Sequence, residues 1–334
     1  MSKWLLRGSF NILKWLLCGA GVVALALTAM VAAPLTRPAP LASISETARA
    51  VDRSTMPGLE RFQARDGTAL GYRHYPARTA GVEQLAILVH GSTGSSASAH
   101  ALAAALAARG VETWAVDIRG HGASGTRGDI GYIGQLEDDL ADLVAVVRKT
   151  APSAPLTLIG HSAGGGFALR IAGSPMQSLF SGTVLLAPYL GFNAPTNRPH
   201  SGGWANPDIP RFIGVAALRS IGIGCCESLP VLAYAVPPNS AMNQTSTYSF
   251  RLMRNFAAHW DYRADLAGAT RPLTIICGVD DELMLADKYA EAVRGITPAV
   301  DVKLIDGVNH MGVVSDSRAV SIIADEVAKS GVNS

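Results

Sequence analysis

The chain contains 334 residues, of which 49% are hydrophobic and 16% are charged, and its formal net charge is +2 at pH 7. This composition is typical of a globular or partly membrane-bound protein with one large domain or two medium ones, and it excludes extensive disorder. The balanced charge does not favour binding to nucleic acid. The four cysteines have neither metal-ligand spacing nor the pattern of a disulfide framework.

The N-terminal end of the chain has the pattern of a membrane-spanning helix. Residues 15–33 form an uncharged apolar run of 19 residues, and three basic residues precede it. At about 1.5 Å per residue, such a run spans the hydrocarbon core of a bilayer. We expect residues 1–36 to anchor the chain as a single pass, with the basic flank in the cytoplasm and the remainder exported. The alternative is a signal peptide, whose cleavage would leave a secreted protein.

The rest of the chain divides into a short linker and a long patterned region. Residues 37–57 are rich in Pro, Ala, Ser and Thr without a clear period, which is typical of a linker. In residues 58–330 short apolar runs alternate with helical periods, and Asp66-Gly67 marks a hairpin turn. Strands are predicted at 59–65, 69–75, 84–90, 111–117, 156–159, 183–186, 273–277 and 300–305. Helices are predicted before Arg109, at 135–149, after 162, at 284–294 and at 315–329. This alternation predicts an α/β fold with a mostly parallel central sheet and helices on both faces.

A long insertion interrupts the alternation. More than eighty residues lie between Pro188 and Arg271, which is too many for one loop in a compact domain. The segment contains an apolar stretch at 213–223, a helical pattern around 246–258, and several aromatic residues that supply material for a core. We expect residues 189–265, approximately, to fold as a cap over the C-terminal edge of the sheet. A disordered insertion is the alternative.

The segment Gly160-His161-Ser162-Ala163-Gly164 follows an apolar run and precedes a helical period. A serine between two glycines at a strand–turn–helix junction is the pattern of a nucleophile elbow, in which a strained backbone exposes the serine hydroxyl. Strand and helix approach too closely there for a Cβ atom, which explains Gly160 and Gly164. We identify Ser162 as the candidate nucleophile. The N–H of Ala163, at the helix N-terminus, is a candidate donor to an oxyanion.

A serine nucleophile needs a base to remove its proton and an acid to orient that base. In the elbow arrangement the chain order is serine, acid, histidine. His310 is the candidate base, because among the eight histidines it alone lies far enough downstream, in a loop after the last predicted strand. The acid should follow the strand at 273–277, where Asp280, Asp281 and Glu282 are consecutive. Their chemistry alone does not choose between these three carboxylates.

The small-residue loop after the strand at 84–90 is the expected source of a second oxyanion donor, and we assign this role to the N–H of Ser92. His161 lies inside the elbow and is expected to line the pocket rather than to act as the base. His90 and His121 lie in loop-forming motifs and are expected to hydrogen-bond to backbone groups. A solvated or sheet-edge helix face is the simplest interpretation of three acidic residues, Asp138, Asp139 and Asp142.

Together these motifs resemble those of the α/β-hydrolases. From about residue 59 to 327 the chain is most similar to the branch that contains monoacylglycerol lipases, lysophospholipases and serine aminopeptidases. The segments that carry this resemblance are His90-Gly91-Ser92, the run DIRGHGASG from Asp117 to Gly125, Gly160–Gly164, Gly278-Val279-Asp280-Asp281 and Asn309-His310. The resemblance implies that Asp281 is the acid, since that family has its acid at the last position of the motif. The chain departs from monoacylglycerol lipases at Ala163, where those enzymes usually have Met, and in the cap.

The expected function is hydrolysis of a carboxylic ester through an acyl-enzyme on Ser162, with a lipid-like ester such as a lysophospholipid or monoacylglycerol favoured. This chemistry implies neither a metal nor an organic cofactor. An amidase or aminopeptidase using the same residues is one alternative. An aminopeptidase needs carboxylates near the cap to hold an α-ammonium group, and the candidates for this are Asp208, Glu227 and Asp261. A membrane-anchored binding protein with a degenerate site is the alternative outside enzymes, and the intact serine, acid and histidine argue against it.

Overall fold

The structure is a computed structural model, and it describes residues 2–78, 84–237, 244–296 and 298–332. The strands are β1 (Glu60–Gln63), β2 (Ala69–Tyr75), β3 (Gln84–Val89), β4 (Val111–Val116), β5 (Leu156–His161), β6 (Gly182–Leu186), β7 (Ala205–Pro207), β8 (Pro230–Tyr234), β9 (Thr247–Ser249), β10 (Leu273–Gly278) and β11 (Asp301–Ile305). The α-helices are α1 (Ser2–Ala32), α2 (Ala42–Ala50), α3 (His100–Ala108), α4 (Gln135–Val147), α5 (Ala163–Ala172), α6 (Ile209–Ser220), α7 (Phe250–Asn255), α8 (Tyr262–Gly268), α9 (Tyr289–Ala292), α10 (Gly312–Ser315) and α11 (Ser317–Val332).

Eight strands form one sheet in the order β1-β2-β4-β3-β5-β6-β10-β11. The six strands from β4 to β11 in this order are parallel to their neighbours, whereas β1 and β2 form an antiparallel edge. Every residue of β3, β4 and β5 is buried. Because successive side chains of a strand point to opposite faces, both faces of the sheet are covered at its centre. The predicted α/β fold with a mostly parallel sheet is confirmed.

One predicted helix is much shorter than expected. The helical pattern at 284–294 corresponds to a 3₁₀ turn at Ala286–Lys288 followed by the single turn of α9. The backbone N–H groups that begin this segment have other acceptors. Those of Leu283 and Met284 donate to Asp281 Oδ1, and that of Leu285 donates to the carbonyl of Thr196 over 2.8 Å. The helical turns therefore begin only after Leu285, whose N–H is bonded to a residue distant in the sequence.

The insertion between β6 and β10, which is called the cap below after its predicted role, is folded in the residues that the structure describes. Its strands form a small antiparallel sheet in the order β7-β8-β9, and α6, α7 and α8 complete it. The pattern around 246–258 divides into β9 and α7, because the side chain of Ser249 caps the helix by accepting the N–H of Leu252 over 3.1 Å. Tyr234, Tyr248 and Phe256 are buried in this part of the structure. The alternative of a disordered insertion does not describe these residues.

Helix α1 contains a 20-residue apolar stretch, Leu13–Ala32, that is long enough to cross a membrane and has no buried share. The same length and composition occur in signal sequences. Its C-terminal end packs against the cap. Arg211 of α6 donates from Nε to the carbonyl of Val31 over 3.0 Å, and Met30 and Val31 lie against Gly214. The apolar N-terminal helix and the cap therefore share a contact.

The segment predicted as a linker contains helix α2, which the sequence did not predict. Only two of its nine residues are buried, Ile44 and Ala48. They are four positions apart and so lie on one face of the helix. Two apolar positions are too few to give a recognisable period, and so short a helix depends on tertiary packing.

Candidate active site

Ser162 lies between the end of β5 and the beginning of α5, at the C-terminal edge of the sheet. Its backbone has φ 55° and ψ −117°, and positive φ is unfavourable for a residue with a side chain. Neighbouring backbone holds this conformation. The N–H of Ser162 donates to Leu186 over 2.9 Å, and its carbonyl accepts the N–H groups of Gly166 over 3.0 Å and Tyr189 over 2.9 Å. This is the strained strand–turn–helix geometry that the sequence motif predicts.

The two elbow glycines lie at close backbone contacts. A Cβ on Gly160 would be 2.2 Å from the carbonyl oxygen of Gly164. A Cβ on Gly164 would be 2.3 Å from the carbonyl oxygen of His90. Both distances are far inside van der Waals contact, so neither position accommodates a side chain without a shift of the main chain.

His310 and Asp281 form a buried hydrogen-bonded pair. Nδ1 of His310 lies 2.8 Å from Oδ2 of Asp281, and the two side chains are 3% and 0% exposed. The other oxygen, Oδ1, accepts the N–H groups of Leu283 over 2.8 Å and Met284 over 2.7 Å. The carboxylate is thus fixed by backbone on one side and faces the imidazole on the other.

The neighbouring carboxylates have different positions. Asp280 is exposed. Glu282 accepts the backbone N–H of His310 over 2.9 Å through Oε2, so it contacts the loop of His310 rather than the ring. Of the three consecutive carboxylates that the residue chemistry left open, the structure brings Asp281 to the imidazole.

Burial and hydrogen bonding act in opposite directions on Asp281. Burial alone would raise the pKa of its carboxyl, but the adjacent His310 and the two backbone N–H donors outweigh it, and the net pKa is lowered. The ionised carboxylate is therefore the stable form of Asp281, and it can accept a hydrogen bond from the Nδ1–H group of His310. Burial, together with the neighbouring His310, lowers the pKa of His161 to about 3, so this histidine is neutral at physiological pH.

Ser162 and His310 line one pocket, and His161 lies beside them. His161 Nε2 is 3.1 Å from the carbonyl oxygen of His310, which can only accept, so Nε2 carries the proton. The pocket is narrow, with a volume of about 30 Å³. This is space for one or two water molecules rather than for a substrate.

The two residues predicted to supply oxyanion donors are Ala163, which follows Ser162 directly, and Ser92. Ala163 is the first residue of α5, and the first N–H groups of a helix have no partner within it. Ser92 lines the pocket, and its Oγ accepts a hydrogen bond from Trp204 Nε1 over 2.9 Å. Trp204 belongs to the cap. The Ser92 hydroxyl is therefore engaged with the cap rather than with its own loop.

A second cap residue holds the same loop. Thr93 has φ 65°, a strained value, and its N–H donates to the hydroxyl of Tyr248 over 3.0 Å. The Tyr248 hydroxyl lies 2.6 Å from Nε2 of His121. Burial lowers the pKa of His121 well below its usual value, so the ring is neutral. Its Nε2 can then accept a hydrogen bond from the Tyr248 hydroxyl. The sequence did not reveal Trp204 or Tyr248 as site residues, since each lies more than one hundred positions from the loop that it supports.

The run from Asp117 to Gly125 holds the loop that precedes α3 in place. Asp117 accepts the N–H of Ser96 over 2.7 Å and that of Ala123 over 2.9 Å, which joins this run to the loop containing Ser92. His90 bonds to backbone, as predicted, since its Nε2 accepts the N–H of Ile118 over 3.2 Å. His121 also bonds to backbone, as predicted, since its Nδ1 lies 3.4 Å from the carbonyl oxygen of Arg119, while its Nε2 contacts the Tyr248 hydroxyl.

The interpretation of three acidic residues of α4 needs correction. Asp139 is buried and forms a two-point ion pair with Arg119, with both N–O distances at 2.7 Å. It therefore does not lie on a solvated face. Asp138 and Asp142 pair with the half-exposed Arg65. Among the described residues, no group of three or more His, Cys, Asp or Glu side chains is placed to hold a metal ion.

The sequence matches the family described as "Serine aminopeptidase, S33" over residues 81–315, which is well over half of its length. The chain belongs to this family. The resemblance inferred from the motifs is thereby confirmed, and the match to this serine aminopeptidase family includes Ser92, Ser162, Asp281 and His310 within its range.

Individual relatives agree with this membership. A monoacylglycerol lipase of Mycolicibacterium smegmatis is 31% identical over 103 residues, which are 30% of this chain and 36% of that protein. The chain thus matches about a third of the length of this relative. A soluble variant of the monoglyceride lipase of Saccharomyces cerevisiae, solved with a substrate analog, gives a TM-score of 0.65 at 19% identity, over 84% of this chain and 96% of that one. A membrane phospholipase A, described as a bacterial virulence factor, gives 0.58 at 14% identity, over 98% and 99%. These structural likenesses establish the α/β-hydrolase fold alone.

Proposed function

We propose that the protein is a serine hydrolase that cleaves a carboxylic ester through an acyl-enzyme on Ser162. The observation that carries the proposal is the buried hydrogen bond between His310 and Asp281, at a pocket that His310 shares with the strained Ser162. A serine hydroxyl becomes an effective nucleophile only beside an oriented base. Membership in a serine hydrolase family supports the same chemistry.

In the proposed first half-reaction, Ser162 Oγ attacks the ester carbonyl while His310 Nε2 takes the hydroxyl proton. The oxyanion accepts hydrogen bonds from the N–H groups of Ala163 and Ser92, each typically worth about 3 kcal/mol in the transition state. Collapse of the tetrahedral species breaks the ester C–O bond, and His310 returns its proton to the departing alcohol. Asp281 stabilises the imidazolium while it exists.

In the second half-reaction, His310 takes a proton from water, whose oxygen attacks the acyl carbon of the ester on Ser162. The same two N–H groups bind the second oxyanion. Collapse releases the carboxylic acid and returns the proton to Ser162. Ester and water are thus converted to acid and alcohol, and these steps draw on this chain's own residues throughout.

A lipid-like ester, such as a monoacylglycerol or a lysophospholipid, is the proposed substrate class. The pocket has apolar walls, including Leu283 and Met311. The names of two similar proteins, a monoacylglycerol lipase and a membrane phospholipase A, support this class. The anchor proposed below would bring the pocket close to such lipids.

An amidase or aminopeptidase is the second candidate, favoured by the description of the family. The structure gives the three candidate cap carboxylates other partners, and it does the same for Asp265, a fourth in the cap, which accepts the N–H of His259 over 2.9 Å. Asp208 and Asp261 cap α6 and α8, and Glu227 pairs with Arg219 over 2.6 Å. No Asp or Glu is among the described residues that line the pocket. An α-ammonium group therefore lacks a counter-charge there, which favours the ester.

Labelling with a fluorophosphonate tests the proposal, with Ser162→Ala and the exposed Ser178→Ala as a matched pair. We expect the probe to mark the wild type and Ser178→Ala but not Ser162→Ala. A chromogenic ester should be hydrolysed in the same pattern, and faster than aminoacyl arylamides. Exclusive cleavage of the arylamides would overturn the ester in favour of the aminopeptidase. Folded wild type that takes no label and hydrolyses nothing would leave the non-catalytic binding protein.

We also propose that residues 1–36 anchor the chain in a membrane and that residues 37–57 connect this anchor to a hydrolase domain at 58–330. Residues 189–265 form the cap of that domain, and the whole domain lies outside the cytoplasm. The cap helix α6 packs on the end of α1. Four isoleucines are exposed there, two in α6 (Ile209 and Ile213) and two in the turn that follows the helix (Ile221 and Ile223). An apolar surface beside a membrane helix suits a bilayer. Resistance to alkaline extraction, with an intact N-terminus by mass spectrometry, is the expected result; a soluble, shortened chain would establish the signal peptide.

A further inference from the structure

Helix α2 forms part of the wall of the pocket that contains Ser162 and His310. Its two buried side chains, Ile44 and Ala48, are 4% and 5% exposed and line that pocket. They lie one helical turn apart and present one apolar face to it. The helix lies outside residues 81–315, over which the chain matches its family. This wall is therefore contributed by a segment that the family match does not include.

Contacts on both sides hold α2 across the pocket. At its beginning, the N–H of Leu41 donates to the carbonyl of Ala235 in the cap over 3.2 Å. In its middle, Asn309 Nδ2 donates to Thr47 Oγ1 over 3.2 Å, and Asn309 is the neighbour of His310 in the chain. At its end, Arg53 Nη2 donates to the carbonyl of Ala48 over 2.6 Å. The helix thus bridges the cap and the loop of His310.

The pocket that α2 helps to enclose is too small to hold a substrate. Its volume of about 30 Å³ holds a water or two, whereas pockets that bind small organic ligands measure roughly 300–1,000 Å³. A wall must therefore move before an ester enters. Helix α2 is short, is attached to its surroundings by a few hydrogen bonds, and has a polar outer face that includes Glu46 and Arg49. Its displacement costs less than opening the packed sheet.

We propose that Ile44 and Ala48 form one wall of the acyl-chain site and determine which acyl lengths are accepted, an inference that rests on the ester hydrolase proposed above. The ligand is the hydrocarbon chain of the ester. When α2 moves outward, its apolar face remains the nearest surface of that side of the pocket, so the chain packs against these two side chains. A bulkier residue at 48 shortens the space, and a smaller one at 44 enlarges it.

The test compares kcat/KM for p-nitrophenyl esters from four to twelve carbons in the full-length protein. Ala48→Leu should lower the ratio of the twelve-carbon to the four-carbon value by about tenfold, because filling an apolar pocket discriminates by at least that factor. Ile44→Ala should raise the ratio. Ala50→Leu makes the same change on the exposed side of α2 and should leave the ratio as in the wild type.

Labelling of Ser162 by a small fluorophosphonate is measured in each variant, since it reports an assembled site without an acyl chain. Normal labelling with an altered chain-length ratio in Ala48→Leu and Ile44→Ala, but not in Ala50→Leu, supports the wall. Normal labelling with wild-type ratios in both inner-face variants overturns it and leaves the ester hydrolase standing. Equal changes in all three variants also overturn it, because α2 would then act only through stability. No labelling and no ester hydrolysis by the wild type would overturn both proposals.

Discussion

Oδ2 of Asp281 lies 2.8 Å from Nδ1 of His310, and the carboxylate has no exposed surface. Because its other oxygen accepts two backbone N–H groups, the carboxylate cannot rotate without losing them. The imidazole is therefore held with Nδ1 towards the acid and Nε2 on the opposite side of the ring. One buried hydrogen bond thus fixes both the tautomer and the orientation of the proposed base.

Asp281→Asn should lower kcat by about 10⁴-fold, because an amide stabilises neither the required tautomer nor the imidazolium. The adjacent Asp280→Asn removes the same charge from an exposed side chain and should have little effect. Ester hydrolysis under saturating substrate measures both variants. Equal losses in the two variants, or a loss in Asp280→Asn alone, would contradict the assignment of the acid.

The parts of the site that are local in sequence could be predicted, and the parts that depend on distant contacts could not. Gly160 to Gly164 specify a strand, a turn and a helix within five residues, so pattern and sterics suffice. The acid could not be chosen from three consecutive carboxylates by chemistry, since the choice depends on which one faces a ring 29 positions away. It was the family resemblance that pointed to Asp281.

The contacts between the cap and the loop of Ser92 could not be predicted from any local pattern. Trp204 and Tyr248 support the loop of Ser92 from 112 and 155 positions away, and nothing in their own neighbourhood marks them. For a related reason helix α2 was not predicted, because its two buried residues are buried only by contact with the pocket, which is formed by distant parts of the chain. Asp139 likewise fits a solvated helix face until the position of Arg119 is known.

Tyr248→Phe should lower kcat by about tenfold with a smaller change in KM. The substitution keeps the ring but removes the acceptor of the Thr93 N–H, a buried group next to the proposed oxyanion donor Ser92. A donor that acts mainly in the transition state affects kcat rather than ground-state binding. Tyr72→Phe is the control, because it removes a hydroxyl that donates to Glu60 on the edge strand, away from the site. An unchanged kcat in Tyr248→Phe would limit the hydroxyl to a structural role.

Gly164→Ala should destabilise the fold by at least about 3 kcal/mol, because the new Cβ would lie 2.3 Å from one backbone oxygen and 2.8 Å from another. Gly58→Ala is the matched control, since a Cβ there meets nothing within 4 Å. We expect it to change the free energy of unfolding by less than about 0.5 kcal/mol. Urea unfolding followed by circular dichroism measures both. Equal midpoints would show that the elbow adjusts more easily than its contacts indicate.

Acid should destabilise the protein in part through His161. Burial, with the nearby His310, lowers the pKa of His161 to about 3 in the folded state, against about 6.5 in an unfolded chain. Between these values the unfolded state binds a proton that the folded state does not, so the free energy of unfolding falls as pH falls through this window. The slope from one such group approaches about 1.4 kcal/mol per pH unit, and above about pH 6.5 the contribution is constant.

His161→Gln keeps a side-chain donor for the carbonyl of His310 but removes the titration. The pH dependence of the unfolding free energy between pH 4.5 and 6 should therefore become shallower by nearly one proton. This range lies above the window in which the lowered pKa of Asp281 acts, so that carboxylate does not contribute to the difference. The exposed His200→Gln should leave the slope close to that of the wild type. If His161→Gln and the wild type gave the same slope, the ring of His161 would have to accept its proton in the folded state, and the neutral, donor-bearing tautomer beside His310 would be wrong.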